Sequence, residues 1–135
     1  MSTPHFSLFG FIAVGLGAVL GAWLRWALGL WLNASAHMVP VGTLLANVAG
    51  GFLIGLAVAW FARNPQLAPE WRLFAITGFL GALTTFSTFS IESFGLIERA
   101  AFGWAIAHTA LHVTGSLAAA AIGYWLGARP GWGIT

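Results

Sequence analysis

The sequence has no cysteine, no lysine and no aspartate, and its 135 residues include only three glutamates and five arginines. Without cysteine there is no disulfide, no thiolate metal centre and no cysteine nucleophile. Eight charged side chains make up 6% of the chain, against about 25% in an ordinary globular domain. That is too few to cover a water-facing surface. The charges are also dispersed along the chain, as Arg25, Arg63, Arg72, Arg99 and Arg129 among Glu70, Glu92 and Glu98. A nucleic-acid partner needs a basic patch or stripe, so the net charge of +2 does not signal one. No nucleophile–base–acid set and no nucleotide-binding glycine loop is visible, which argues against an enzyme.

What is present is apolar: hydrophobic residues make up 59% of the chain, in long runs. A helix crosses a bilayer core with about 20 mainly apolar residues and satisfies all its backbone groups internally. Four segments qualify, roughly Leu8 to Trp31, Val41 to Phe61, Trp71 to Ile97 and Phe102 to Leu126. The length fits a single domain, residues 1–135. Asn33, Ser35, His37 and Pro40 mark the first loop, and the run from Arg63 to Glu70 with its two prolines marks the second. Glu98-Arg99 makes a short turn, and Arg129-Pro130-Gly131 ends the last segment. Met1 to Ser7 lacks a basic region and an Ala-x-Ala cleavage site, so the first apolar stretch is expected to be retained and not removed as a signal peptide. Trp23, Trp26, Trp31, Trp60, Trp71, Trp104 and Trp125 fall mostly near segment ends, where amphipathic rings sit at a membrane interface.

Four crossings put both termini on one side, together with Arg63, Arg72 and Arg129; Arg25 and Arg99 fall on the other. Three against two, plus the terminal amine, is a small positive-charge bias. It is compatible with insertion in both orientations and hence with an antiparallel dimer. The alternative is one orientation set by a weak bias.

Residues four apart share a helix face. Ala13, Gly17 and Gly21 form one small-residue stripe; Thr43, Asn47, Gly51 and Gly55 a second; Gly115, Ala119, Gly123 and Gly127 a third. Such stripes let helix backbones approach closely in lipid. Asn47 is a mid-helix amide, costly in a membrane unless partnered. It reads either as a helix–helix hydrogen bond or as part of a permeation path. His108, His112 and Ser116 share one face of the fourth helix and all can donate hydrogen bonds. They read as a polar lining, as packed and satisfied histidines, or as two metal ligands; no carboxylate or cysteine lies nearby in sequence to complete a metal site.

The third segment is interrupted. Gly78 and Gly81 weaken its helix, and five hydroxyls between Thr84 and Ser90 compete for the backbone. A break at membrane depth is tolerated only where the backbone is buried in protein or lines a cavity. Its freed carbonyls can hold a small cation and its freed N–H groups can face an anion. Phe86 and Phe89 lie three apart, and aromatic ring edges carry positive charge.

These runs resemble the small bacterial fluoride channels, also called CrcB proteins. The resemblance rests on Gly21-Ala22-Trp23-Leu24-Arg25-Trp26, on Gly42-Thr43-Leu44-Leu45-Ala46-Asn47 with Gly51 and Gly55, and on Gly78 to Ser90. It implies an all-α integral membrane fold of four helices with a broken third helix, assembled as an antiparallel, dual-topology homodimer with two pores. It implies a fluoride-selective passive channel in the bacterial inner membrane that exports fluoride and lowers its cytoplasmic level. Fluoride would pass Phe86, Phe89 and Asn47, with Ser87, Thr88 and Ser116 as hydroxyl donors. His108 and His112 occupy a polar track that carries a tyrosine and serines in other members. A structural sodium ion, not transported, would be held by the carbonyls of Gly81 and Thr84 from both subunits. Arg25 would be an interfacial anchor or vestibule charge. The rival reading is a small multidrug-type proton-coupled exporter, which relies on a glutamate in its first helix; here that helix has none. Glu92 reads as a buried hydrogen-bonding partner on the third helix.

Overall fold

The computed structural model describes residues 7–34 and 38–129. Ser35 and His37 of the expected first loop, residues 1–6, and Pro130-Gly131 lie outside the described residues. Among the described residues the chain is all-helical, with four crossings of 25, 23, 30 and 26 residues, each long and apolar enough to span a membrane.

The first crossing is α1, Leu8–Leu32. Ser7 caps its start by accepting the Gly10 N–H at 3.2 Å, the usual service of a serine at this position. The second is α2, Val41–Arg63, whose N-cap Pro40 has no side chain to offer. Asn33, just past the end of α1, supplies the cap instead: its Oδ1 accepts the Gly42 N–H at 2.7 Å. The third crossing, Pro69–Glu98, begins with α3, Pro69–Arg72, where proline sits at a tolerated first-turn position. A π-helical stretch, Leu73–Leu80, and the short α4, Gly81–Leu83, follow. After an interruption α5 runs over Phe86–Glu98 and α6 over Phe102–Gly127. Between them Ala100 takes φ 54. The Ala101 N–H bonds to Leu96 O and the Ala100 N–H to Ile97 O, the double closure that usually recruits glycine.

The small-residue stripes do what their spacing implies. α1 packs along the first half of the third crossing, and α2 packs along α6. At Gly17 and Gly21 an added Cβ would overlap the carbonyls of Phe74 and Phe79; at Gly55 and Gly123 it would overlap those of Ala120 and Phe52. The helices are in backbone contact, so dispersion between backbones replaces side-chain interdigitation. Gly78 belongs to this packing as well: a Cβ there would lie 2.6 Å from Val14 O. The break expected within Gly78 to Ser90 falls at Thr84-Thr85, among the hydroxyl residues, while Gly78 serves close approach within the helical stretch before it.

The buried core is small, centred on Ala46, Leu80 and Leu83. Large apolar side chains point outward instead, among them Phe9, Phe11, Trp26, Trp31, Ile106 and Leu117. That inverted distribution suits a lipid solvent. Where the ends of α2 and α6 meet, Arg63 Nη1 donates to the carbonyls of Ala128 (2.6 Å) and Arg129 (2.5 Å), and the Arg129 guanidinium lies 3.7 Å from the Trp125 ring centre. Arg63 thus caps the end of α6, a cation at a negative helix pole.

Gly55→Ala should destabilise the detergent-solubilised protein by about 1–3 kcal/mol through overpacking. Gly95→Ala, where a Cβ meets nothing within 4 Å, should be neutral or stabilising by up to about 1 kcal/mol. Thermal unfolding of the two variants checks this; equal losses would remove the close-approach argument.

Candidate functional site

The interruption of the third crossing is built from two threonines. Thr84 (ψ 153) and Thr85 (φ −149, ψ 119) are extended. Thr84 Oγ1 donates back to Leu80 O at 3.0 Å, the local competition that weakens helices at hydroxyl residues. Thr85 restarts the chain as the N-cap of α5, its Oγ1 accepting the Thr88 N–H at 3.1 Å.

Asn47 on α2 makes this break tenable. Its Oδ1 accepts the Thr85 N–H at 2.7 Å, and its Nδ2 donates to Thr85 O at 3.0 Å. One amide thus pairs with both backbone groups of one residue, where unpaired groups at membrane depth would cost several kcal/mol each. The remaining N–H of Asn47 faces His112 Nδ1 at 3.1 Å. Because Thr85 fixes which way the amide points, His112 Nδ1 is an acceptor and the ring proton sits on Nε2. Of the two readings of Asn47 left open by the sequence, the helix–helix hydrogen bond is present, and the same amide lines an open cavity.

The same bonds release two carbonyls. Helical continuation would give the Thr85 N–H to Gly81 O and the Thr88 N–H to Thr84 O; both are engaged elsewhere, by Asn47 and by Thr85 Oγ1. Arg25 Nε donates to Ala82 O at 3.0 Å, so the first-helix arginine is tied to the break itself.

A groove of ≈ 460 Å³ opens beside it, lined by Asn47, Thr85, Phe86, Phe89, His112 and Ser116 among others. Phe86 is 79% exposed and Phe89 9%, with ring centres 5.5 Å apart at 50°. Of the expected lining residues, Ser87, Thr88 and His108 do not reach this groove. Ser87 Oγ lies 3.3 Å from Thr85 Oγ1, and Thr88 Oγ1 accepts from Thr85 Oγ1 at 3.0 Å. His108 is fully buried and stacks on Phe89 at 5.4 Å and 16°.

Behind Phe89 lies a polar chain. Asn33 Nδ2 donates to Thr43 Oγ1 at 3.2 Å, which donates to Glu92 Oε1 at 2.6 Å. Glu92 Oε2 lies 3.5 Å from His108 Nε2, and His108 Nδ1 is 2.9 Å from Ser93 Oγ. The two histidine rings are 4.4 Å apart. Glu92 is thus the hydrogen-bonded side chain that its position suggested. It is also the carboxylate missing from the sequence neighbourhood of the histidines: ligand atoms of Glu92, His108 and His112 all lie within 4.8 Å of one another. Sequence reasoning gave no site role to Thr43, Thr85 or Ser93. Helical spacing carried the signal, since Thr43 is one turn before Asn47 and Ser93 one turn after Phe89.

Residues 12–124 match the family described as CrcB-like protein, Camphor Resistance (CrcB). The chain belongs to this family. It is 57% identical to a protein named fluoride-specific ion channel FluC from Cupriavidus pinatubonensis, over 86% of this chain and 92% of that one. Proteins of the same name from Pseudomonas putida and Marinobacter nauticus are 59% and 56% identical, over 83% and 84% of this chain and 88% and 90% of theirs. Four apolar spans and these relatives make the chain a multi-pass bacterial membrane protein. The matched range spans the residues of the break, Asn47 and the histidine face.

Thr43→Val keeps the shape and removes the hydroxyl between Asn33 and Glu92. It should cost about 1–3 kcal/mol, because it strands a donor and a carboxylate oxygen. Unfolding of the variant in detergent measures this, and a change below about 0.5 kcal/mol would detach Thr43 from the network.

Proposed function

We propose that the chain is a passive fluoride-selective channel that lets fluoride leave the cell. The observation that carries the reading is the family membership together with relatives at 56–59% identity named fluoride-specific ion channels. The site chemistry agrees with it. Fluoride is small and strongly hydrated, so its water must be replaced by donors. Within one groove the chain offers the Ser116 hydroxyl and the edges of Phe86 and Phe89, and the Asn47 amide can donate there by giving up its bond to His112. Thr88 and Ser87 supply hydroxyls at the α5 cap, and His108 and His112 extend the polar surface behind Phe89. No arginine lines the groove, which favours an ion that binds and leaves over one that is trapped.

The working unit in this reading is an antiparallel homodimer, inserted in both orientations. The groove is open along one side and Phe86 is 79% exposed; a second copy would close it. The carbonyls of Gly81 and Thr84, released from helical pairing, suit a hard, oxygen-loving cation, and sodium is the ion proposed there. Bound sodium would neutralise converging carbonyl dipoles and pin the break; Arg25, on the neighbouring carbonyl, holds the same turn from α1. The protein carries out no reaction in this reading. A proton-coupled multidrug exporter is disfavoured, since α1 holds no acidic residue.

Purified protein in liposomes should release fluoride rapidly and chloride negligibly, as read by ion-selective electrodes. No fluoride release from folded protein would overturn the reading. Phe86→Ile and Asn47→Ala should lower fluoride efflux at least about tenfold, equivalent to about 1.4 kcal/mol in barrier; wild-type rates in a folded variant would remove that residue from the path. Replacing sodium by a bulky organic cation throughout purification should impair folding or efflux, and indifference to thorough sodium removal would exclude the structural cation.

A further inference from the structure

We propose that Glu92, His108 and His112 form a binding site for one divalent transition-metal ion of the zinc type, distinct from the proposed sodium site at the carbonyls of Gly81 and Thr84. The donor set is two imidazoles and one carboxylate, a combination that binds zinc with a fourth position left open. Glu92 Oε2 and His108 Nε2 are 3.5 Å apart, close to the ~3.4 Å edge of a tetrahedron with metal–ligand bonds of ~2.0–2.1 Å. The third ligand atom falls within 4.8 Å of these and needs to move in by roughly an ångström to meet the same geometry. The three atoms Glu92 Oε2, His108 Nε2 and His112 Nε2 are buried and have no hydrogen-bond partner. The histidines are 0% and 4% exposed, so these atoms converge in a place that water scarcely reaches.

Two of the three ligands already have the outer partner that metal-binding side chains require. Thr43 Oγ1 holds the second oxygen of Glu92, and Ser93 Oγ lies on Nδ1 of His108. With Ser93 accepting the Nδ1 proton, His108 Nε2 presents its lone pair to the site. His112 also lines the open groove, which gives an ion a route in.

His112 makes this site antagonistic to the break. The Asn47 amide donates to His112 Nδ1 and so keeps the ring proton on Nε2, the atom that would take the metal. Metal binding at Nε2 drives that proton to Nδ1 and expels the Asn47 donor, loosening one of the three bonds that Asn47 makes at the break.

The test uses untagged, folded protein in detergent with His5→Ala and His37→Ala, which removes the other two of the four histidines. Titration with Co²⁺ should give the intense visible absorption of a tetrahedral site at one ion per chain, with Zn²⁺ displacing the signal. Glu92→Gln and His108→Gln should each weaken binding at least tenfold, and Asn47→Ala should tighten it by freeing Nδ1. Absence of a cobalt spectrum in the folded parent overturns the site without recourse to any variant. Binding that neither ligand substitution changes overturns it equally. The cobalt readout needs no ion flux, so it stands or falls apart from the channel reading.

Discussion

The structure depends on one side-chain amide meeting one peptide unit. A backbone interrupted in lipid has no water to turn to, and the cost of leaving an N–H and a C=O unpaired there is comparable to the whole margin by which proteins are stable. Asn47 satisfies both groups of Thr85 and has one donor left for His112. The half-helix α5, its cap at Thr85, the freed carbonyls and the groove all follow from that pairing. An aspartate could accept from the N–H but not donate to the carbonyl, and a serine could not span both.

The clamp works only because α2 is held at a fixed distance from the third crossing and α6. The glycine stripes set that distance. Two helix pairs in backbone contact form a rigid frame with little core, and hydrophobic side chains are left to face lipid. In water such a distribution would be ruinous; in a bilayer the cohesive terms are dispersion between closely apposed backbones and a few well-placed polar bonds. The polar chain from Asn33 through Thr43 and Glu92 to His108 ties four helical segments by bonds of 2.6–3.2 Å and one approach of 3.5 Å.

Much of the fold was legible beforehand. Four apolar runs became four crossings with ends shifted by a few residues, because length and hydropathy decide membrane spans almost alone. The stripes were legible because helical periodicity places every fourth residue on one face. The break was foreseen as a region but not as a residue: Gly78 looked like a weak point, whereas its lack of a side chain serves α1, and the Thr84-Thr85 pair yields instead. Within the site, Phe86, Phe89, Asn47, His112 and Ser116 line one groove, while Ser87, Thr88 and His108 sit outside it. The meeting of Glu92 with the histidines could not be read from spacing, since it joins residues 16 and 20 positions apart on different helices and depends on how α5 packs against α6.

The clamp also constrains biosynthesis. Asn47 is made 38 residues before Thr85 and His112 a further 27 later, so the second crossing enters the bilayer with its amide unpartnered. It stays a polar orphan until the third crossing arrives, and that crossing in turn carries a broken backbone that only Asn47 can satisfy. Neither segment is a comfortable passenger in lipid alone. A nascent chain stalled between them therefore holds an unpaired polar group in lipid, a cost that only arrival of the third crossing removes.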